Sequence, residues 1–199
     1  FAVVKLDGST GAIVWLTKAR SAGAAQVVRF DSLGNVVAAG YITSIGGHDF
    51  FTTKLSRSDG AEVWRNTING PSNSADYAYG LAIDTQDNVV VAGLVSHLSS
   101  IAVGHHEDLL ALKLTASAGL ELWRYGFELG AAFSLDLDAA GDVVIAGSGG
   151  ADASGITVSK VRGVTGSELW RHRIAGVGGG QTVSIDPLND VIVSGQLLE

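Results

Sequence analysis

The side chains with the greatest potential for chemistry are concentrated in two stretches of the chain, residues 66–78 and 94–108. Imidazole nitrogens and carboxylate oxygens are ligands for divalent metals, and tyrosine combines an apolar ring with a polar hydroxyl group that suits ligand recognition. The binding residues predicted from these stretches and the strand that follows the first are Asp76, Tyr77, Tyr79, His97, His105, His106 and Glu107.

A metal site built from His105, His106 and a neighbouring carboxylate is one interpretation of the second stretch. Successive residues of a strand point to opposite sides, so two adjacent histidines rarely bind the same ion. No His-x-His or His-x-x-x-His spacing occurs anywhere in the chain. We therefore predict no metal ligands and no bound cofactor.

Sequence motifs of enzymes are absent. The chain contains no Gly-x-Ser-x-Gly elbow, no phosphate-binding loop, no His-Glu-x-x-His motif and no dinucleotide fingerprint. It also contains no cysteine, which excludes thiol catalysis. We predict that the protein is not an enzyme and has no catalytic residues.

The composition narrows the class of protein further. The 199 residues include 27 glycines and no cysteine or methionine, with 46% hydrophobic and 17% charged residues. This composition excludes a disordered chain and a disulfide-stabilised mini-protein. The net charge of −7 argues against a nucleic-acid partner, and no apolar run is long enough for a membrane-spanning helix.

A fourfold internal repeat is the strongest pattern in the sequence. In each unit a lysine precedes a tryptophan by ten residues, a glycine precedes the same tryptophan by four, and an aspartate precedes a second glycine by nine. The repeated residues are Lys5, Gly11, Trp15, Asp31 and Gly40; Lys54, Gly60, Trp64, Asp84 and Gly93; Lys113, Gly119, Trp123, Asp138 and Gly147; and Lys160, Gly166, Trp170, Asp186 and Gly195. Constant offsets predict that the units share one local structure.

Each unit is predicted to contain four short strands, a, b, c and d, because β-branched and apolar runs are bounded by turn residues and no segment has helical periodicity. Strand a ends at the aspartate, strand c carries the lysine and strand d carries the tryptophan. We expect the aspartate to accept backbone N–H groups in the a–b turn. We also expect cross-strand ion pairs between c and d, namely Lys54 with Glu62, Lys113 with Glu121 and Lys160 with Glu168.

A four-stranded unit repeated every 47 to 59 residues is typical of β-propeller blades. Residues 5–15 (KLDGSTGAIVW) and 31–41 (DSLGNVVAAGY) resemble the bacterial propeller repeats called SBBP repeats, and they are similar to those of quinoprotein-like (PQQ-like) propellers. The resemblance implies that the tryptophans dock neighbouring blades. It does not extend to a quinone pocket, because the adjacent cysteine pair of many such enzymes is absent.

The predicted fold is an all-β, single-domain β-propeller over residues 1–199, with four four-stranded antiparallel blades and repeat units at approximately 1–49, 50–108, 109–155 and 156–199. The chain begins with a strand c and ends after a strand b, so one blade is expected to be shared between the N- and C-terminal strands. Part of a larger propeller and a dimeric eight-bladed ring are the alternatives.

The b–c and d–a connections vary in length, whereas the a–b and c–d turns are constant. Variable loops on a rigid scaffold commonly carry recognition, so we predict an interaction surface on the face with the b–c and d–a connections, here called the irregular face. The predicted function is a non-catalytic binding or assembly module, extracellular, periplasmic or on the cell surface. Its expected partner is a protein or a glycan, with a homodimer as a further option and no nucleic acid or membrane insertion.

Two other functions remain open. The first is a lectin-like propeller that binds carbohydrate, and the second is a propeller subunit or fragment of a quinoprotein-like enzyme.

Overall fold

The computed structural model describes residues 1–98, 105–149 and 155–198, and these residues form sixteen β-strands. The strands are β1 (Ala2–Leu6), β2 (Ile13–Lys18), β3 (Gly23–Phe30), β4 (Val36–Ser44), β5 (Gly47–Leu55), β6 (Glu62–Ile68), β7 (Tyr77–Ile83), β8 (Val89–Leu98), β9 (His105–Leu114), β10 (Glu121–Phe127), β11 (Gly130–Leu137), β12 (Val143–Gly149), β13 (Ile156–Val161), β14 (Glu168–Ile174), β15 (Val177–Ile185) and β16 (Val191–Leu198). Within the described ranges the chain forms no helix with the length and apolarity needed to traverse a lipid bilayer.

The strands pair antiparallel in chain order. They form three complete four-stranded blades, β3–β6, β7–β10 and β11–β14, and two two-stranded sheets, β1–β2 and β15–β16. The prediction of an all-β propeller built from four-stranded antiparallel blades is confirmed. The first and last strand pairs lie in separate sheets, so the described strand pairing does not join the two ends in one blade.

The hydrophobic core lies between successive sheets. Phe50, Val91 and Leu112 belong to the cluster between the first two complete blades, and Leu135 and Ile145 belong to the cluster between the second and third. The central strands are buried on both faces, which explains their continuous apolar runs rather than a polar–apolar alternation. Face-to-face packing of consecutive sheets is what fixes each blade relative to the next.

The a–b turns have the structure that the repeat predicts. Asp84 Oδ1 accepts hydrogen bonds of 2.8 Å from the backbone N–H groups of Gln86 and Asn88. The fourth turn residue, Asp87, has a positive φ of 63°, which aspartate tolerates better than most residues. The equivalent aspartates of the other units, Asp31, Asp138 and Asp186, accept backbone hydrogen bonds in the same way.

The predicted Lys–Glu pairs between strands c and d are wrong. Lys54 lies opposite Trp64, and Glu62 lies opposite Leu55, because β6 contains a bulge that shifts the register between these two pairs. The same shift occurs in the other complete blades, where Lys113 pairs with Trp123 and Lys160 with Trp170. The glutamates instead form ion pairs along their own strand with Arg65, Arg124 and Arg171.

The displaced lysines form ion pairs with the a–b turns of their own blades. Lys54 lies 2.8 Å from Asp31, Lys113 lies 2.8 Å from Asp84, and Lys160 lies 2.6 Å from Asp138. The repeated lysine and the repeated aspartate therefore stabilise each other, and both are structural.

Lysine and tryptophan of one blade together contact the next blade. Lys113 Nζ and Trp123 Nε1 donate hydrogen bonds of 2.7 and 3.0 Å to the backbone oxygen of Gly163. Equivalent bonds run from Lys54 and Trp64 to Ala116, and from Lys5 and Trp15 to Arg57. The docking role that the resemblance implies is thus present for these three tryptophans, whereas the fourth, Trp170, is 39% exposed.

Candidate functional site

The irregular face has the unequal connections that the sequence predicts, but one of them is more regular than expected. The connection between β6 and β7 covers residues 69–76, whereas β10 and β11 are joined by residues 128–129 only. Residues 94–108 are largely strand, because β8 and β9 continue to Leu98 and from His105 as a long hairpin. The paired strands β8 and β9 therefore carry His97, His106 and Glu107, which were expected on a loop.

A polar cleft of about 460 Å³ opens on this face. Its lining includes Ser74, Ser96, His106, Glu107, Leu129 and Ser148, which come from the two long connections of the second blade and from the third blade. A larger cavity of about 500 Å³ lies between β1 and β3, but its lining is mainly apolar and contains Lys5 as its one charged side chain. The polar cleft is the better candidate for specific recognition, because several hydrogen-bonding side chains converge there.

Five aromatic rings form a continuous row across the three complete blades. This aromatic row consists of Tyr41, His48, Tyr77, Tyr79 and Phe133, all half-buried. Adjacent ring centroids are 4.4 Å apart for Tyr41 and His48, 5.0 Å for Tyr41 and Tyr77, 5.9 Å for Tyr77 and Tyr79, and 5.8 Å for Tyr79 and Phe133. The row offers apolar ring surface together with hydroxyl groups, a combination common at binding surfaces.

Glu107 adds negative charge beside this row. Its side chain is exposed, and burial together with the nearby Tyr41 and Glu107 raises the pKa of Tyr77. Burial, Tyr77 and Glu107 raise the pKa of Tyr79 in the same direction. Both phenols are therefore neutral hydrogen-bond donors at physiological pH, and Glu107 places negative charge near them.

Asp76 lies beneath the surface of the irregular face and stabilises the backbone there. It is fully buried, and its two carboxylate oxygens accept hydrogen bonds from the backbone N–H groups of Gly70 and Ser96, at 2.5 and 2.7 Å. Burial raises the pKa of Asp76 even though these hydrogen bonds act to lower it. The predicted binding residue thus holds the connection 69–76 against β8 and offers no atom to solvent.

The predicted histidines are arranged in an unexpected way. His97 on β8 lies directly opposite His106 on β9, and their ring centroids are 5.3 Å apart. His106 Nε2 lies 3.1 Å from Asp108 Oδ1. His105 begins β9, and its side chain lies outside the described residues.

The sequence predicted Tyr77 and Tyr79 of the aromatic row, together with the neighbouring Glu107. It did not predict Tyr41, His48 or Phe133. Tyr41 follows the repeated Gly40 at the end of a strand b, and Phe133 lies on a strand a. These positions differ in the repeat, so a comparison between units does not align them. Strand order supplies the missing signal, because the ends of b and the beginnings of the neighbouring a strands meet on the same face.

Comparison with protein families gives one match that covers nearly the whole chain. Residues 2–195 match the family described as outer membrane protein assembly factor BamB. The comparison with curated proteins gives no match.

Solved structures confirm the fold at low sequence identity. BamB from Moraxella catarrhalis is similar with a TM-score of 0.59 and 19% identity, over 98% of this chain and 49% of that one. A quinohemoprotein alcohol dehydrogenase from Comamonas testosteroni gives a TM-score of 0.63 and 12% identity, over 98% and 37%. A protein of unknown function from Bacteroides caccae gives 0.59 and 14%, over 94% and 59%. The chain therefore spans between about a third and three fifths of the structures that it matches.

Proposed function

Because the chain belongs to the PQQ-like propeller family described as outer membrane protein assembly factor BamB, we propose that it is a non-catalytic module that binds a protein partner through its irregular face. The observation that carries this proposal is the aromatic row beside Glu107. Tyrosine is one of the residues that most often dominate the binding energy of protein interfaces, and this row contains three tyrosines, each packed against a neighbouring ring.

The two faces of the propeller differ in what they leave available for a partner. On the a–b and c–d side, most of the repeated lysines, aspartates and tryptophans already bind one another or the next blade, as Lys113 and Trp123 do, whereas Trp170 is 39% exposed. On the irregular face, Glu107 is exposed and the tyrosine rings are half-buried. A partner segment with apolar side chains and a lysine or arginine would complement both features.

The place of action that we propose is the bacterial cell envelope, in the periplasm or on the cell surface. The family description names an assembly factor for outer membrane proteins, and this supports both the location and a protein as the partner. The resemblance of the repeats to SBBP propellers belongs to the same proposal and is compatible with it.

Site-specific photo-cross-linking in bacterial cells tests the proposal. A photoreactive phenylalanine analogue replaces Phe133 in the aromatic row, and the matched control carries it at Asp59, which is exposed on a c–d turn. We expect one defined protein adduct from position 133 and none from position 59. Tyr77→Ala should remove the adduct without unfolding the protein. Adducts that are equal at both positions, or absent at both, would contradict the proposal.

A lectin-like function is the second candidate, because tyrosine rings in a row can stack against the apolar faces of sugar rings. A glycan array probed with the protein and with Tyr77→Ala distinguishes the two. Specific binding that depends on Tyr77 would favour the lectin, and an array without signal would exclude a lectin function.

A subunit of a quinoprotein-like enzyme is the third candidate. Its first requirement is that the protein binds a quinone, which fluorescence quenching would measure.

A further inference from the structure

Three side chains of metal-ligand type converge on the β8–β9 hairpin, next to the polar cleft. They are His97, His106 and Asp108, here called the histidine cluster. One ligand atom from each lies within 4.8 Å of the other two. All three side chains are half-buried, so they are neither freely solvated surface groups nor part of the apolar core.

The strand register explains why these residues meet. His97 pairs with His106 across the hairpin, and Asp108 is two residues further along β9. Residues two apart on a strand share a face, and direct cross-strand partners share it too. The three side chains therefore project from one face of two hydrogen-bonded strands, which position ligands more rigidly than a loop does.

The surroundings of His106 and Asp108 favour ligation over an ordinary ion pair. Both ring nitrogens of His106 are buried, and among the described residues neither has a hydrogen-bond partner. His106 Nε2 lies 3.1 Å from Asp108 Oδ1, but this close contact lacks hydrogen-bond geometry. Asp108 Oδ1 in turn accepts a 3.2 Å hydrogen bond from the backbone N–H of Leu129, which orients the carboxylate as outer contacts of metal ligands do.

We propose that the histidine cluster binds one divalent transition-metal ion, with zinc as the best match to its ligands. Two imidazoles and a carboxylate form a common zinc ligand set, and a tetrahedral ion would keep its fourth position for water or a group from a partner. Zinc–ligand bonds of about 2.0–2.2 Å require the three side chains to draw together from their present spacing through small rotations. The proposal is independent of the proposed function, since its test uses no partner.

The experiment is a titration of the purified, tag-free chain with zinc and, separately, with cobalt. Isothermal titration calorimetry gives the stoichiometry and affinity for zinc, and the visible spectrum of bound cobalt reports a tetrahedral site with nitrogen and oxygen ligands. We expect one ion per chain. His106→Ala and Asp108→Asn should each weaken binding by at least about tenfold, a loss of the size seen when contacts around metal sites are removed.

The matched control is His172→Ala, because His172 is an exposed histidine on β14, outside the cluster. It should bind zinc as the unchanged chain does. His106→Gln and circular dichroism of every metal-free variant separate a lost ligand from a lost fold. The absence of stoichiometric binding, or equal affinity in the cluster variants and the unchanged chain, would overturn the proposal.

Discussion

The Nζ atom of Lys113 lies 2.8 Å from Oδ2 of Asp84, which joins the central part of the second blade to its a–b turn. Both side chains are only 9% exposed, and each has further hydrogen bonds, Lys113 to Gly163 and Asp84 to its turn. In this buried ion pair the charge of each side chain is balanced by the other and by further hydrogen bonds. Loss of one side chain therefore leaves the other charge buried without its partner.

Lys113→Met is therefore expected to lower the free energy of unfolding by about 3–5 kcal/mol, because Asp84 would remain buried and charged. Urea unfolding followed by tryptophan fluorescence measures the change. The double variant Asp84→Asn/Lys113→Met should recover part of the loss. A single variant as stable as the unchanged chain would show that the pair contributes nothing.

Acid should destabilise the protein through the same pairs. Burial acts to raise the pKa of Asp84, but hydrogen bonds from Lys113 and Asn88 outweigh it and lower the pKa below the ordinary value. The pKa values of Asp31 and Asp138 are lowered in the same way. Since the unfolded chain then binds more protons, this stabilisation is complete above the unfolded pKa near 4 and is lost as the pH falls through the lower folded values.

Urea unfolding at several pH values between about 7 and 3 measures this dependence. We expect the free energy of unfolding to decline below about pH 4, and less steeply in Asp84→Asn/Lys113→Met. Asp76, whose pKa is raised, changes stability in the opposite direction, so the comparison with the double variant isolates the ion pair. If the free energy of unfolding depends on pH identically in the unchanged chain and the double variant, the acid sensitivity does not come from the Lys113–Asp84 pair.

Gly119→Ala should destabilise the contact between the first two complete blades. The added Cβ would lie 2.5 Å from Cε3 of Trp64, and Gly119 has a positive φ of 64°, so both the clash and the backbone strain act against alanine. We expect a loss of about 1–3 kcal/mol in the free energy of unfolding. Gly8→Ala is the control, because a Cβ there meets nothing within 4 Å; equal stability of both variants would refute the contact.

Asp76→Ala should loosen the long connection on the irregular face. The backbone N–H groups of Gly70 and Ser96 would lose their acceptor, at a cost of about 1–3 kcal/mol for each group that stays buried. Hydrogen exchange detected by mass spectrometry should show faster exchange in residues 69–76. The control is Asp59→Ala on a c–d turn, where residues 69–76 should exchange as before.

The sequence repeat was sufficient to predict the fold, because the turn residues that delimit each strand act through local interactions. Asp84 and Asp87 determine an a–b turn through hydrogen bonds and a positive φ that involve only neighbouring residues. The irregular face could be located in the same way, since unequal spacing between repeated residues can occur only where connections vary.

Side-chain partners across strands could not be predicted, because they depend on register. The bulge in β6 places Trp64 opposite Lys54, and the lysine side chain forms an ion pair with Asp31. No residue type in the sequence indicates the extra residue that makes this bulge. The proximity of His97 and His106 was missed for the same reason. It follows from pairing along the whole β8–β9 hairpin, whereas spacing along the chain shows only the adjacent pair His105 and His106.

The hydrogen bonds that the repeated lysines and tryptophans donate to the next blade end on backbone oxygen atoms, and those atoms belong to Arg57, Ala116 and Gly163 at equivalent places in the three turns. A carbonyl group is the same whatever side chain accompanies it, so the receiving turn is free to change its sequence while the donor side is limited to lysine and tryptophan. Within this chain the receiving residue is an arginine, an alanine or a glycine, and the contact with the preceding blade is nevertheless the same. The repeats can therefore differ in sequence at this position without any loss of the hydrogen bonds that join neighbouring blades.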